Sequence, residues 1–180
     1  MTTNATKRVP ALLEKRPDVE PQDDGKTHIN ISMTGATELG QKLAHFARTP
    51  FIHPFYGPFK SMEGFWHYIK SEEPDDNYRT LVGARAKAYA KTRKMVWRDG
   101  FTEIIIEANY HKAIQNADIR QLMSESTLPF QYYYLTPAQV QVFPETAPWL
   151  CAGLERVRQC VKRGESYPIQ PIVSLFVKPV

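Results

Sequence analysis

The stretch Phe59-Lys60-Ser61-Met62-Glu63-Gly64-Phe65-Trp66-His67-Tyr68-Ile69-Lys70 constrains the fold most, because it carries two patterns at one helical spacing. Met62, Phe65, Trp66 and Ile69 form a single apolar stripe that must face a core. Glu63, His67 and Lys70 recur along another flank, lining a carboxylate, an imidazole and an ammonium along one edge. Ser61 is placed to cap the helix, and Glu63 falls in its first turn, where the positive end of the helix dipole favours a negative charge. Such an edge is either a row of solvated ion pairs or the chemical wall of a pocket.

The chain around this helix reads as short elements of both kinds. Residues 1–26 mix Pro10, Pro17 and Pro21 with many charges and predict a flexible N-terminal arm; residues 27–180 make the single domain. The alternation of Ile29, Ile31 and Met33 predicts a half-buried strand, and residues 38–46 a short helix with Leu39, Leu43 and Phe46 inward. Residues 51–55 predict an edge strand interrupted by Pro54, with Tyr56-Gly57-Pro58 turning into the central helix. Beyond it, the pattern predicts a helix over 77–93, a helix capped by Thr102 and stopped by Asn116, and a short helix over 118–124. Residues 128–135 and 139–143 alternate as a hairpin about Thr136-Pro137-Ala138, though alternation leaves open which of Tyr132, Tyr133 and Tyr134 faces a pocket. Leu150, Leu154, Val157 and Val161 set a last helix closed by Gly164, and residues 169–177 can add an edge strand. The fold class is α+β, rich in helix, with a few short strands.

A chain of 180 residues is long enough to bury one core without staples, and its aromatic share argues for a folded globule. The absence of a long apolar run or an apolar leader predicts a cytoplasmic protein with no membrane partner. Cys151 and Cys160 lie on opposite sides of one helix and read as reduced packing residues. No Cys-x-x-Cys or His-x-x-x-His spacing supplies a metal motif, and no cofactor is expected. Positive charge is concentrated: Arg79, Arg85, Lys87, Lys91, Arg93, Lys94 and Arg98 occur between Asn77 and Arg98 without one acid. That block suits phosphate groups, or else a solvated face balanced by Glu72, Glu73, Asp75 and Asp76 just upstream.

Ser61-x-Glu63-x-Phe65-x-x-x-x-Lys70, preceded by Leu43-Ala44-His45-Phe46-Ala47 and a Pro-Phe strand, resembles the opening signature of the NADAR (YbiA-like) family. Ala86-Lys87 with Ala90-Lys91, Trp97, and the segment from Tyr110 to Leu122 resemble later elements of the same family in the same order, covering roughly residues 27–163. The resemblance implies a helix-rich α+β NADAR/YbiA-like domain that cleaves an N-glycosidic bond. The substrate it implies is ADP-ribose-containing or a ribosylated base, including ADP-ribose joined to guanine in nucleic acid. Glu63 is then the carboxylate that stabilises an oxocarbenium-like centre, and His67 is either a proton carrier or a simple one-turn partner of Glu63. Lys70 would hold a phosphate or tune Glu63, Lys87 and Lys91 would hold a diphosphate, and Trp97 would stack on a base or sit as a core indole. His45 and Phe46 would line the pocket.

The chain also departs from the family. His67 stands where relatives carry Gln, and His45 where they carry Asn. The Trp-Gly-Asp/Asn-Gly run, whose Asp is held to assist catalysis, is replaced by Leu128-Pro129-Phe130 and three tyrosines, a form resembling bacteriophage-encoded members. Reversal of an ADP-ribosyl mark as counter-defence is the use that this provenance implies. Two other readings stay open: a non-catalytic sponge or sensor for an ADP-ribose-derived nucleotide, and a basic nucleic-acid-binding module.

Overall fold

A computed structural model describes residues 14–15, 19–135 and 140–168. Most of the expected N-terminal arm, the turn at Thr136–Ala138 and the expected strand over 169–177 lie outside the described residues. The strands are β1 (Glu14–Lys15), β2 (Ile29–Asn30), β3 (Phe51–His53), β4 (Gly57–Phe59), β5 (Phe130–Gln131), β6 (Tyr134–Leu135) and β7 (Val140–Val142). The helices are α1 (Glu38–Leu43), α2 (Met62–Lys70), α3 (Ala84–Ala90), α4 (Phe101–Gln115), α5 (Ala117–Glu125) and α6 (Ala147–Arg163). The result is an α+β fold with helices as its main mass.

Helix α4 organises the rest. Ile104, Ile105, Ile106, Ala108, Lys112 and Ala113 are all buried, so its apolar residues ring it instead of forming one stripe. Ile106 and Ala113 join one core cluster with Leu39, Leu43, Ile119, Leu150 and Leu154. Ile104, Ile105 and Ala108 join a second with Phe51, Phe59, Met62, Phe65 and Ile69. Thus α4 is the wall shared by two halves of the core, and the expected stripe of α2 closes the second half.

Several expectations are corrected. The helix predicted over 77–93 is a 3-10 turn at Asp76–Arg79 followed by α3, because Gly83 takes φ +51° and breaks it. The strand at 51–55 ends at His53; the chain turns over residues 54–56, and β4 pairs back antiparallel with β3. Thr102 lies inside α4, whose start is the left-handed Gly100 at φ +76°. The helix from residue 38 stops at Leu43, where the Ala44 N–H closes on Gly40 O. The strand from Ile29 shortens to two residues, and Met33 is exposed. The single long hairpin is divided: β5 pairs in parallel with β2, while β6 and β7 pair antiparallel, with β1 on the far side of β7.

The described part of the N-terminal segment is anchored. Asp24 is buried and its carboxylate accepts the backbone N–H groups of Asn30 and Ala36 at 2.9 and 2.7 Å. Tyr133 Oη bonds His28 Nε2 at 2.8 Å, tying that segment to the one carrying β5 and β6.

Candidate active site

Ser61 caps α2 as its position predicts. Its Oγ accepts the Gly64 N–H at 3.1 Å and donates to Leu81 O at 2.9 Å, so one side chain fixes both the helix start and the chain that passes it at Leu81. In that first turn the Glu63 N–H donates to His45 O at 2.9 Å, clamping the loop after α1 against α2. Glu63 is only 8% exposed, and its Oε1 is 3.1 Å from His67 Nε2 one turn on. The His67 ring stacks on Tyr78 at 5.9 Å and 29°, while its Nδ1 is buried without a partner. A carboxylate and an imidazole are thereby held together at a fixed orientation.

The neighbouring side chains close around this pair. The His45 ring lies 5.4 Å from that of Trp66, and its Nε2 is buried without a partner. Burial pushes the His45 pKa down to about 4, with Glu63 opposing and Lys112 and His67 adding to the shift, so at neutral pH it is an uncharged hydrogen-bonding group. Trp66 stacks on Trp149 at 6.0 Å and meets Phe101 edge-on at 4.7 Å. Lys70 Nζ lies 4.0 Å from the centre of the Trp97 ring and 5.8 Å from that of Trp66, between two indoles. Trp97 is 67% exposed, which rules out the core indole and leaves an open aromatic face. Phe46 is half-buried, with Lys87 Nζ 5.9 Å from its ring, and the Gly83 backbone approaches it so closely that a Cβ there would lie 3.2 Å from Phe46 O.

Glu63, His67 and Lys70 thus share α2, with His45 against Trp66 and Trp97 against Lys70, while Lys87 is joined to the group only through the Phe46 ring beside His45. Lys91 caps the end of α3 and is exposed; among the described residues no hydrogen bond, ion pair or ring contact joins it to the others. The basic block divides by role. Arg79 binds Asp76 and the Tyr56 carbonyl, Arg93 binds Asp75 and Tyr89, and Lys94 pairs with Glu72. Arg98 donates to Ile69, Ser71 and Glu72 carbonyls and so satisfies the C-terminus of α2. Four of its seven cations thus hold the fold, as the upstream acids foreshadow, and Arg85, Lys87 and Lys91 remain exposed.

Two groups escaped the sequence reading, and a third was left undecided by it. Lys112 is fully buried under the loop that carries His45 and donates to Leu43 O and Ala44 O at 3.3 and 3.5 Å; burial brings its pKa down to about 7. Trp149 is partly buried, packs against both core clusters and stacks on Trp66. Tyr132 and Tyr134 lie within electrostatic reach of Glu63, whose charge adds to the effect of burial in raising both phenols. A lysine among isoleucines in α4 was the only signal for the first; the others depend on contacts between distant segments.

No family model matches the sequence, and no curated protein sequence matches it. Among solved structures, the NMR structure of the Escherichia coli protein YbiA superposes with a TM-score of 0.50, at 15% identity, covering 76% of this chain and 82% of that one. The fold is YbiA-like. The likeness is one of architecture. Among the described residues no helix is long and apolar enough to cross a membrane.

Proposed function

We propose that this protein is an N-glycosidase that hydrolyses the bond between ribose and a base in an ADP-ribose-containing substrate, with ADP-ribosylated guanine in nucleic acid as the leading candidate. The observation that carries the reading is the buried Glu63–His67 pair, 3.1 Å apart on α2, on the same helix as Lys70, whose ammonium lies against the exposed Trp97 ring. N-glycosidic cleavage needs a negative group beside C1′ as positive charge develops there, and a nearby water. Glu63 supplies the first and can orient the second. His67 fixes the carboxylate rotamer, and the neighbouring His45 carries an uncharged ring with a buried, unpartnered Nε2. Lys70 and Lys87 suit the diphosphate, and the open face of Trp97 suits a base. Counter-defence in the cytoplasm is the biological use we propose for such an activity, on the resemblance to bacteriophage-encoded members rather than on the site itself.

The test is incubation of the wild type and Glu63→Gln with an ADP-ribosylated guanine oligonucleotide, NAD and ADP-ribose, with mass analysis of bound and free species. Glu63→Gln should lower turnover about 100-fold or more while leaving ligand binding in place. Full activity in that variant would remove Glu63 from the mechanism. Recovery of intact ligand from both proteins would favour the nucleotide sponge, a reading supported by the absence of any Asp after Asp118. The basic nucleic-acid module is the weakest alternative, because Arg79, Arg93, Lys94 and Arg98 are already engaged within the fold.

A further inference from the structure

The turn that carries His45 and Phe46 is held from beneath by a lysine. Residues 44–47 follow the C-terminus of α1, and the Ala47 N–H closes the turn on Ala44 O at 3.0 Å. Lys112 reaches this turn from α4 with no exposed surface, donating to Leu43 O at 3.3 Å and to Ala44 O at 3.5 Å. Leu43 O is one of the last carbonyls of α1, which have no partner within the helix, so the lysine answers an acceptor that burial would make costly. From the other direction the Glu63 N–H donates to His45 O at 2.9 Å, and the His45 ring lies 5.4 Å from that of Trp66. A continuous line of hydrogen bonds and backbone therefore runs from Lys112 through Ala44 and His45 to the first turn of α2. A neutral amine has an N–H for each of the two carbonyls and an ammonium has one more, so both contacts survive loss of the charge.

We propose that Lys112 is a positioning residue of the candidate active site: it holds the turn at 44–47 so that the His45 carbonyl fixes the first turn of α2 and, with it, the Glu63 carboxylate. The inference rests on the N-glycosidase reading above. Lys112 acts through the turn and takes no part in bond making. Displacing a catalytic group by about 1 Å can cost about 100-fold in rate. A turn bonded by Ala47, Lys112 and Glu63 together leaves the carboxylate little room for such a shift. Stability supplies no reason for an amine at this place. Among the described residues no carboxylate offsets its burial, which works against the folded state at neutral pH. An unbranched apolar chain of similar length relieves that burial, and the relief offsets the hydrogen bonds lost with the amine.

The experiment compares wild type, Lys112→Met and Lys112→Gln in thermal midpoint at pH 7, in hydrogen exchange of the Glu63 backbone amide followed by NMR, and in kcat and KM on an ADP-ribosylated guanine oligonucleotide. Lys112→Met should melt no lower than the wild type, exchange its Glu63 amide about 10-fold faster or more, and lose about 10-fold or more in kcat with little change in KM. Lys112→Gln keeps a neutral donor on a shorter chain and should fall between the two. Wild-type kcat in a folded Lys112→Met protein would overturn the inference while the glycosidase reading stands. A lower midpoint with faster exchange throughout the core, or failure of both variants to fold, would make Lys112 a structural residue and overturn it as well. No turnover by the wild type would overturn the glycosidase reading instead. The Glu63 amide then decides alone: faster exchange in Lys112→Met supports the hold on the turn, and unchanged exchange removes it.

Discussion

His53 is fully buried, its ring 4.8 and 5.2 Å from those of Tyr56 and Phe65, and its Nδ1 accepts the backbone N–H groups of Phe55 and Tyr56 at 3.2 and 3.4 Å. Those donors place the proton on Nε2, which faces Glu107 Oε1 at 3.8 Å, with His111 Nε2 3.6 Å from the same oxygen. A metal on Nε2 would force a proton onto Nδ1 against two N–H groups, so His53, Glu107 and His111 are not a metal triad despite their residue types. Burial pushes His53, like His45, down to about 4, from an ordinary value of 6.5. Between those values the unfolded chain binds protons that the folded chain refuses. The contribution of these two rings is therefore complete above pH 6.5 and is lost as pH falls toward 4, by up to about 3 kcal/mol for each ring. Lys112 has the same sign in another window: its folded value near 7 lies below the unfolded 10.5, so stability rises from pH 7 toward 10.5. Urea midpoints measured from pH 4 to 10 should climb through both windows, and His53→Gln should flatten the acid one. A midpoint unchanged between pH 4.5 and 7 would contradict the burial of neutral imidazoles.

At the scale of elements, α2 depends on close contact with the chain that returns over it. A Cβ on Gly64 would lie 2.3 Å from Tyr78 O and 2.9 Å from Leu81 O, both backbone atoms that cannot swing away. Gly64→Ala gains about 1 kcal/mol of helix propensity and loses more to this clash, for a net destabilisation of about 2 kcal/mol. It should also impair turnover, since the first turn carries Glu63; thermal melts and kcat of one variant test both. The position of α2 was legible because its cap, stripe and Glu63–His67 spacing are all local. Its neighbours were not legible for the converse reason. Gly83 ends the helix expected over 77–93 only because the chain must pass Phe46 there, and β5 leaves its expected hairpin to pair with a strand about a hundred residues earlier. The same distance hid the two tyrosines, whose outward face is decided when Tyr133 finds His28.

For the whole molecule, the shared wall α4 makes the two core clusters one cooperative unit. Helix α6 crosses it at Gly153, where a Cβ would meet Ile106 Cδ1 and Cγ1 at 2.2 and 2.4 Å. Gly153→Ala should force the helices apart and cost about 1–3 kcal/mol, with fluorescence and far-ultraviolet dichroism still falling in one coincident transition. Two separated transitions would mean that the clusters unfold independently. One further consequence follows from where the indoles lie. The chain has three tryptophans, and all three stand at the candidate site: Trp66 on Trp149, and Trp97 facing solvent with Lys70 against its ring. The protein's intrinsic emission is thus a spectroscopic report from a single place, and any nucleotide that draws Lys70 away or covers Trp97 can be titrated without attaching a label.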